Sequence, residues 1–288
     1  MRQVTAGKMW MLAFLMAGFV AGCGSTQTAT TSAAGTPVSP ALGVTVTFGS
    51  FGGGSGATNQ GINTVINGDI GTTAASTLVT GFHDAGTGCT YTETGSNVGV
   101  VKGKIYTAAP PPTVGCPSEG TGTTAATATQ ASVDAIAAWN NLSPASRPGG
   151  TDPGAGQLGS HVLAPGTYKA AGGSFLITGT DLTLDAQGNA NALWVFQAAG
   201  SLTVGVAGAP RSVILVNGAL AKNVFWYVGS AATINAAGGG TMVGTIIAKS
   251  GVTFSTSGVT AITTLNGRAL ALSASVTMVN TVINVPAP

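Results

Sequence analysis

The sequence predicts an all-β solenoid, a chain that winds through successive coils of short strands. From Gly172 onward, runs of β-branched and apolar residues alternate with Gly, Asn, Ser or Asp at a spacing of roughly ten residues, which is typical of strands separated by turns. A β-sandwich has the same spacing. The runs are short, however, glycine recurs between them, and few dipeptides of the hairpin type occur, so we favour the solenoid.

The chain begins with a predicted lipoprotein signal peptide, residues 1–22. Arg2 and Lys8 supply a positively charged start, and residues 9–20 are almost entirely apolar. This run is too short for a membrane-spanning helix, which needs about 20 apolar residues. Residues 20–23 resemble the bacterial lipobox, so we expect lipid attachment at Cys23 and an exported protein, anchored at the outer membrane or cell surface. An ordinary signal peptide with an incidental cysteine is the alternative.

The remaining chain divides into a tether and one domain. Residues 23–40 contain no charge and almost no side chain large enough to bury, so we expect a flexible tether. Residues 41–288 have the length of one large all-β domain, and residues 42–71 predict its first coils.

One long helix is predicted at residues 123–142. Val133, Ile136, Ala137 and Asn140 recur at three- and four-residue spacing, so we expect this helix to pack along the coils. Pro144 follows its end.

Residues 82–122 predict an insert that caps the coils and contains Cys89 and Cys116. In an exported protein, two remaining cysteines usually pair, so we expect a disulfide that staples the cap. Metal binding and free thiols are the alternatives. His83 and His161 are the only histidines and no Cys-x-x-Cys spacing occurs, which argues against a zinc site.

The charge composition restricts the possible partners. The chain has 10 basic and 8 acidic residues, and removal of Arg2 and Lys8 with the leader leaves 8 of each. Such a protein has no basic surface for nucleic acid, and we expect membrane contact only through the N-terminal lipid. Charged residues make up only 6% of the chain, so most of the solvated surface must consist of Gly, Ser, Thr, Asn and Ala.

No catalytic constellation is evident, and we expect neither enzyme activity nor a cofactor. Asp181 and Asp185, the closest acidic pair on one predicted strand face, would stand roughly 13 Å apart, wider than the carboxylate pairs of glycosidases. Asp185 more plausibly closes a turn. Carboxylates from different coils could still meet. The glycine-rich residues 154–159 follow Pro153 instead of a strand, which argues against dinucleotide binding.

Several segments resemble the ice-binding protein family that is also called DUF3494. Residues 163–168, 182–197, 223–229 and 266–271 match its pattern in order and spacing, and residues 66–71 fit its N-terminal coils. The resemblance covers residues 42–283. It implies a right-handed, three-faced β-solenoid with a long helix alongside, in which coils from the two ends of the chain meet in one stack.

The resemblance also implies a function: a flat face, poor in charge and rich in small polar residues, adsorbs to an ice crystal. Regularly stacked hydroxyls and methyls can hold water in a fixed array, which charged groups would disturb. The alternative is a structural or adhesive surface protein on the same fold, with self-association or a surface ligand. For any single threonine, a simple preference for strands is an equally ordinary explanation. The residues expected on the face are Thr203, Thr233, Asn235, Thr253, Ser255, Thr260, Thr263 and Thr277.

Overall fold

The computed structural model describes residues 38–206 and 208–287. The predicted signal peptide, Cys23 and most of the predicted tether lie outside these residues. Within the described chain, no helix is long and apolar enough to cross a membrane.

Short strands dominate both halves of the described chain, on either side of one helix. The N-terminal strands are β1 (Phe48–Gly52), β2 (Ala57–Asn59), β3 (Thr64–Asn67), β4 (Asp69–Ala75), β5 (Val79–Thr80), β6 (Phe82–His83), β7 (Thr90–Tyr91), β8 (Gly99–Val101) and β9 (Ile105–Ala108). Helix α1 spans Gly122–Leu142. The following strands are β10 (Val162–Leu163), β11 (Gly166–Lys169), β12 (Phe175–Ile177), β13 (Leu182–Asp185), β14 (Trp194–Ala198), β15 (Leu202–Val204), β16 (Val213–Val216), β17 (Val224–Val228), β18 (Ala232–Ile234), β19 (Thr241–Ala248), β20 (Val252–Phe254), β21 (Thr263–Ala271), β22 (Val276–Met278) and β23 (Thr281–Asn284). Short 3-10 turns occupy Gly43–Thr47, Ser76–Leu78 and Ala221–Asn223.

The strands stack in parallel into three sheets, as expected for a β-solenoid. One sheet has seven strands in the order β12-β15-β18-β20-β22-β2-β5, a second has three strands, β10-β13-β16, and the third has thirteen. The pairing is parallel throughout these stacks except for β6 with β7 in the cap. Because each coil contributes a strand to a stack, equivalent residues of neighbouring coils lie about 4.8 Å apart.

The two ends of the chain form one continuous stack. Strand β23, near the C-terminus, lies between β21 and β3, and β2 lies between β22 and β5. Asn67 donates to Asn284 at 2.7 Å, and Asn284 donates to Asn266 at 2.9 Å, so an amide ladder crosses this junction. The buried Arg268 also joins both ends, because its guanidinium donates to the carbonyls of Val46 and Pro286.

Aromatic rings fill the interior of the stack. Phe196 stacks on Trp226 with 4.1 Å between ring centroids and on Tyr168 with 5.3 Å, and Phe175 meets its edge. Phe196 and Trp226 are almost completely buried. Such close stacking across coils gives a rigid core on which the outer side chains have fixed positions.

Helix α1 begins one residue before its predicted start and packs on the thirteen-stranded sheet. Thr121 caps it, accepting from the Thr124 backbone N–H while the Thr124 hydroxyl accepts from the Thr121 N–H. The predicted inner face is wrong, since Val133 and Ile136 are exposed. The buried face consists of Ala128, Ala131, Ala135, Ala138 and Leu142. Small alanines let the helix approach the sheet closely, so the larger aliphatic residues are left outside.

The predicted disulfide between Cys89 and Cys116 is present, but part of the segment predicted as an insert belongs to the stack, since β8 pairs with β3 and β9 with β4. We call the other residues of this segment, 82–98 and 109–121, the cap. In the cap, β6 pairs in parallel with β8 and antiparallel with β7. The cap therefore covers the edge of β8, which would otherwise expose unpaired backbone groups.

Candidate functional site

The seven-stranded sheet carries a row of six threonines, one on each of six successive coils. Thr203 pairs in register with Thr233, Thr233 with Thr253, Thr253 with Thr277, Thr277 with Thr58, and Thr58 with Thr80. We call this row the threonine ladder. Leu176 continues it by one rung at one end. With a strand spacing of about 4.8 Å, the six threonines span roughly 24 Å.

Alternation along each short strand places the ladder outside and the neighbouring residues inside. Thr233, for example, is partly exposed, whereas Ala232 and Ile234 on either side of it are buried. The same buried, partly exposed, buried pattern holds for β2, β15, β20 and β22. Because the inward side chains are fixed in the core, each outward threonine is held in one position relative to its neighbours.

The ladder presents only methyl and hydroxyl groups. None of the seven strands of this sheet contains a charged residue. Within the described residues, the six hydroxyls have no protein hydrogen-bond partner, so all of them can bind water. Beside the row lie Ser201, Ala231, Gly251 and Ser275, each one position before its strand, whose small side chains leave the ladder unobstructed.

Four of the eight residues predicted for the face, Thr203, Thr233, Thr253 and Thr277, lie together in this ladder. The prediction is wrong for Asn235 and Ser255, which are buried. Both residues have positive φ, 46° and 61°, so the chain turns there and strand alternation ends. The Asn235 amide is used in the turn, where it donates to the carbonyls of Arg211 and Gly239 and accepts from the Arg211 N–H.

Thr260 and Thr263 do not join the ladder. Thr263 is completely buried at the start of β21, so its outward placement is also wrong. Thr260 is exposed on the preceding loop, where it lines a groove of about 730 Å³ together with the ladder residues Thr58 and Thr80. The groove contains no charged residue.

Sequence reasoning missed Thr58 and Thr80, which supply a third of the ladder. A signal was available, because Ala57-Thr58 and Val79-Thr80 repeat the apolar-threonine order of Ala232-Thr233 and Val252-Thr253. The resemblance implies that the two ends of the chain meet, but no local pattern sets the register that places the N-terminal β2 beside β22, more than 200 residues away.

The acidic residues considered for catalysis have structural roles. Asp185 accepts from the Gln187 N–H and from the Asn217 amide, both at 2.8 Å, so it closes a turn as expected. These two hydrogen bonds hold the pKa of the Asp185 carboxyl below its usual range. Asp181 accepts from the Ser212 N–H at 2.8 Å and thereby ties two coils together.

The fold and the ladder define a class of protein, a β-solenoid with a long helix alongside and a charge-free array of hydroxyls and methyls on one sheet. The ice-binding-like family model matches residues 51–284. The chain belongs to this family, as the sequence resemblance implied.

Individual relatives agree with this assignment. The chain is 32% identical over 56% of its length to an ice-binding protein of Flavobacterium frigoris, and 38% identical over 66% of its length to one of a Nostoc species. The matched regions cover 53% and 66% of those proteins, so the chain spans about half to two thirds of their length. The crystal structure of an ice-binding protein from Antarctomyces psychrotrophicus is similar over 87% of this chain and 100% of that one, with a TM-score of 0.63 and 29% identity.

Proposed function

We propose that this protein binds ice by adsorption of the threonine ladder to the crystal surface, without catalysis. The observation that carries the proposal is the register of the ladder, in which six threonines from two distant parts of the chain form one row. A regular row of methyls and hydroxyls on a rigid core can hold water molecules at fixed spacing, and such a layer can merge with the ice lattice. The names of the relatives support ice as the ligand.

The energetic case depends on preorganisation. A single hydroxyl-to-ice contact gains little over a hydroxyl-to-water contact, because each hydrogen bond replaces an equivalent one in liquid water. Many weak contacts add up only if they are made together, without ordering flexible side chains at the moment of binding. Threonine suits this requirement, since its β-branched side chain has few rotamers and its position on the stacked strands is already fixed.

Thermal hysteresis and ice recrystallisation of the soluble domain test the proposal. We expect Thr253→Tyr to reduce thermal hysteresis at least fivefold, because a bulky ring in the middle of the ladder holds the neighbouring rungs away from a flat surface. The folded stability should change little, since Thr253 points outward.

Thr183→Tyr is the matched control. Thr183 is also a partly exposed threonine between two buried leucines, but it lies in β13, on the three-stranded sheet. We expect this variant to keep wild-type hysteresis. Equal loss in both variants, or no hysteresis of the wild type at high concentration, refutes the proposal.

We further propose that the protein is a lipoprotein attached through Cys23 to the outer membrane or cell surface. The support is the order of charged start, short apolar run, small residues and cysteine, followed by an uncharged segment. A tethered ice binder would act at the boundary of its own cell. Metabolic labelling with a fatty acid in a bacterial host should label the full chain but not the Cys23→Ser variant, and a labelled Cys23→Ser variant contradicts attachment at this residue.

A further inference from the structure

A buried group of acidic and phenolic side chains lies in the cap. Asp84 follows β6, Tyr91 belongs to β7, and Glu119 lies shortly before α1, so three separate segments meet here. Asp84 and Glu119 are each only 8% exposed and Tyr91 only 1%. The sulfur atoms of the disulfide and a carboxylate oxygen of Glu119 all lie within 4.8 Å of one another, so the disulfide adjoins the group.

Two buried carboxyl groups and a buried phenol come together in this group. The Tyr91 hydroxyl donates to Glu119, and the neighbouring carboxyl of Asp84 opposes a charge on Glu119. Two neighbouring carboxylates that are both buried repel each other, so ionisation of the second one is disfavoured. Asp84 also accepts from the Gly86 N–H at 2.8 Å. The buried Thr107 hydroxyl, next to the phenol of Tyr91, completes no hydrogen bond within the described residues.

Burial, and then the neighbouring Asp84 carboxyl, raises the pKa of Glu119 to about 7. Burial and the contact with Glu119 also raise the pKa of Tyr91, so the phenol keeps its proton. The proton on Glu119 therefore stabilises the closed cap at acidic pH. Its contribution is complete below about pH 4.5, the ordinary value for a glutamate, and is lost as the pH rises through 7.

The same group is connected to the end of the threonine ladder. The backbone carbonyl of Tyr91 accepts from the Gly81 N–H at 2.6 Å, and Gly81 directly follows Thr80, the last rung. Phe82 and His83, the next residues, pair with Tyr91 and Thr90 across β6 and β7. Movement of Tyr91 would therefore release the chain immediately after Thr80.

We propose that Asp84, Tyr91 and Glu119 form a proton-operated latch that closes the cap while Glu119 is protonated and loosens it when Glu119 is charged. The loosened cap frees the Thr80 end of the ladder. Neighbouring coils keep their own hydrogen bonds and core contacts, so the change is confined to the cap and the last rung.

Other charged groups surround the latch. Lys104, beside β9, favours the charged form of Glu119, and both Lys102 and Lys104 line a cavity of about 720 Å³ next to Asp84 and Glu119. His83, on the strand that precedes Asp84, forms its own pair with Glu93, at 2.6 Å between Nδ1 and Oε1. Because this pair adjoins the latch, it needs a separate control.

Amide hydrogen exchange of the intact, disulfide-bonded protein tests the latch without ice. After correction for intrinsic exchange, we expect the protection of the Gly81 amide to fall about ten- to hundredfold between pH 5 and pH 7.5. The reason is that each pH unit changes the equilibrium between the closed and the loosened cap by up to about tenfold. The Ala232 amide, which donates to Gly251 at a distance from the cap, should keep its protection.

Glu119→Gln should abolish this pH dependence, since the amide can still accept from Tyr91 and donate to Asp84 but does not titrate. His83→Gln should retain it. If the pH dependence of Gly81 protection persists in Glu119→Gln, or is absent in His83→Gln, the latch proposal is wrong. If Glu119→Gln does not fold, NMR titration of the Glu119 carboxyl in the wild type decides, and a midpoint below pH 5.5 rules the latch out.

One further measurement rests on the proposed function. Thermal hysteresis of the wild type should be lower at pH 8 than at pH 5.5, and that of Glu119→Gln should be the same at both. If the Gly81 amide exchanges as predicted but hysteresis is absent at both pH values, the latch is supported and ice binding is refuted. Equal wild-type hysteresis at both pH values, together with the predicted exchange, shows that the latch does not reach the ladder.

Discussion

Arg268 should control how firmly the N-terminal coils are held to the C-terminal stack. Arg268 is 2% exposed, and its guanidinium donates twice to the Val46 carbonyl, at 2.6 and 3.1 Å, and once to the Pro286 carbonyl, at 3.2 Å. Burial lowers its pKa to about 10, so it remains charged at neutral pH. In Arg268→Met, the side chain still fills space, but both carbonyls lose their donor.

The size of the effect follows from those three hydrogen bonds. A hydrogen bond from a charged group contributes about 1.5–3 kcal/mol when buried, and Val46 and Pro286 are only partly buried, so about 1 kcal/mol for each bond is a reasonable lower value. We expect a loss of about 2–4 kcal/mol, which is a roughly 30- to 1,000-fold shift toward opening of the junction. The stability of the junction in Arg268→Lys should lie between those of the wild type and Arg268→Met, because a single ammonium cannot reach both carbonyls with the same geometry.

Native-state hydrogen exchange locates the effect. The Gln60 amide donates to Met278 across the junction at 2.8 Å, whereas the Ala232 amide bonds within the C-terminal set of coils. Protection should fall at Gln60 more than at Ala232. Arg211→Met, at a half-exposed arginine within the C-terminal set, should not separate the two amides. Equal loss at both amides in Arg268→Met, or a change below about 0.5 kcal/mol, refutes the reasoning.

Three further changes have expected outcomes. Cys89→Ser combined with Cys116→Ser should lower the free energy of unfolding in urea by about 3–4 kcal/mol, since the disulfide closes a loop with a sequence separation of 27; a loss under 1 kcal/mol contradicts this. Phe196→Ala should cost about 3–5 kcal/mol in thermal unfolding, because the ring stacks against Trp226; an unchanged Tm argues against that core role. Gly244→Ala should reduce stability by about 1–3 kcal/mol, since φ is +99° and a Cβ would lie 2.5 Å from a backbone oxygen; wild-type stability would show that the backbone adjusts freely.

Much of the fold could be predicted from local sequence. Short apolar and β-branched runs identify the strands, and the alanine-rich run identifies α1 to within one residue at its start. The inner face of α1 could not be predicted correctly from hydrophobicity, because the tight approach to the sheet selects the alanines and leaves Val133 and Ile136 outside. Asn235 and Ser255 were misplaced for a related reason, since a left-handed turn residue ends the alternation that a strand pattern assumes.

The sequence by itself determined that this chain is charge-poor, built of short strands and rich in outward threonines. Only the tertiary structure decided which threonines belong together. Leu182-Thr183-Leu184 and Leu202-Thr203-Val204 have nearly the same local pattern, yet Thr183 lies on the three-stranded sheet and Thr203 in the ladder. The physical reason is that alternation sets whether a side chain points in or out, whereas the corners of each coil set the sheet it joins. The junction of the two chain ends then adds Thr58 and Thr80, a register that no local pattern contains.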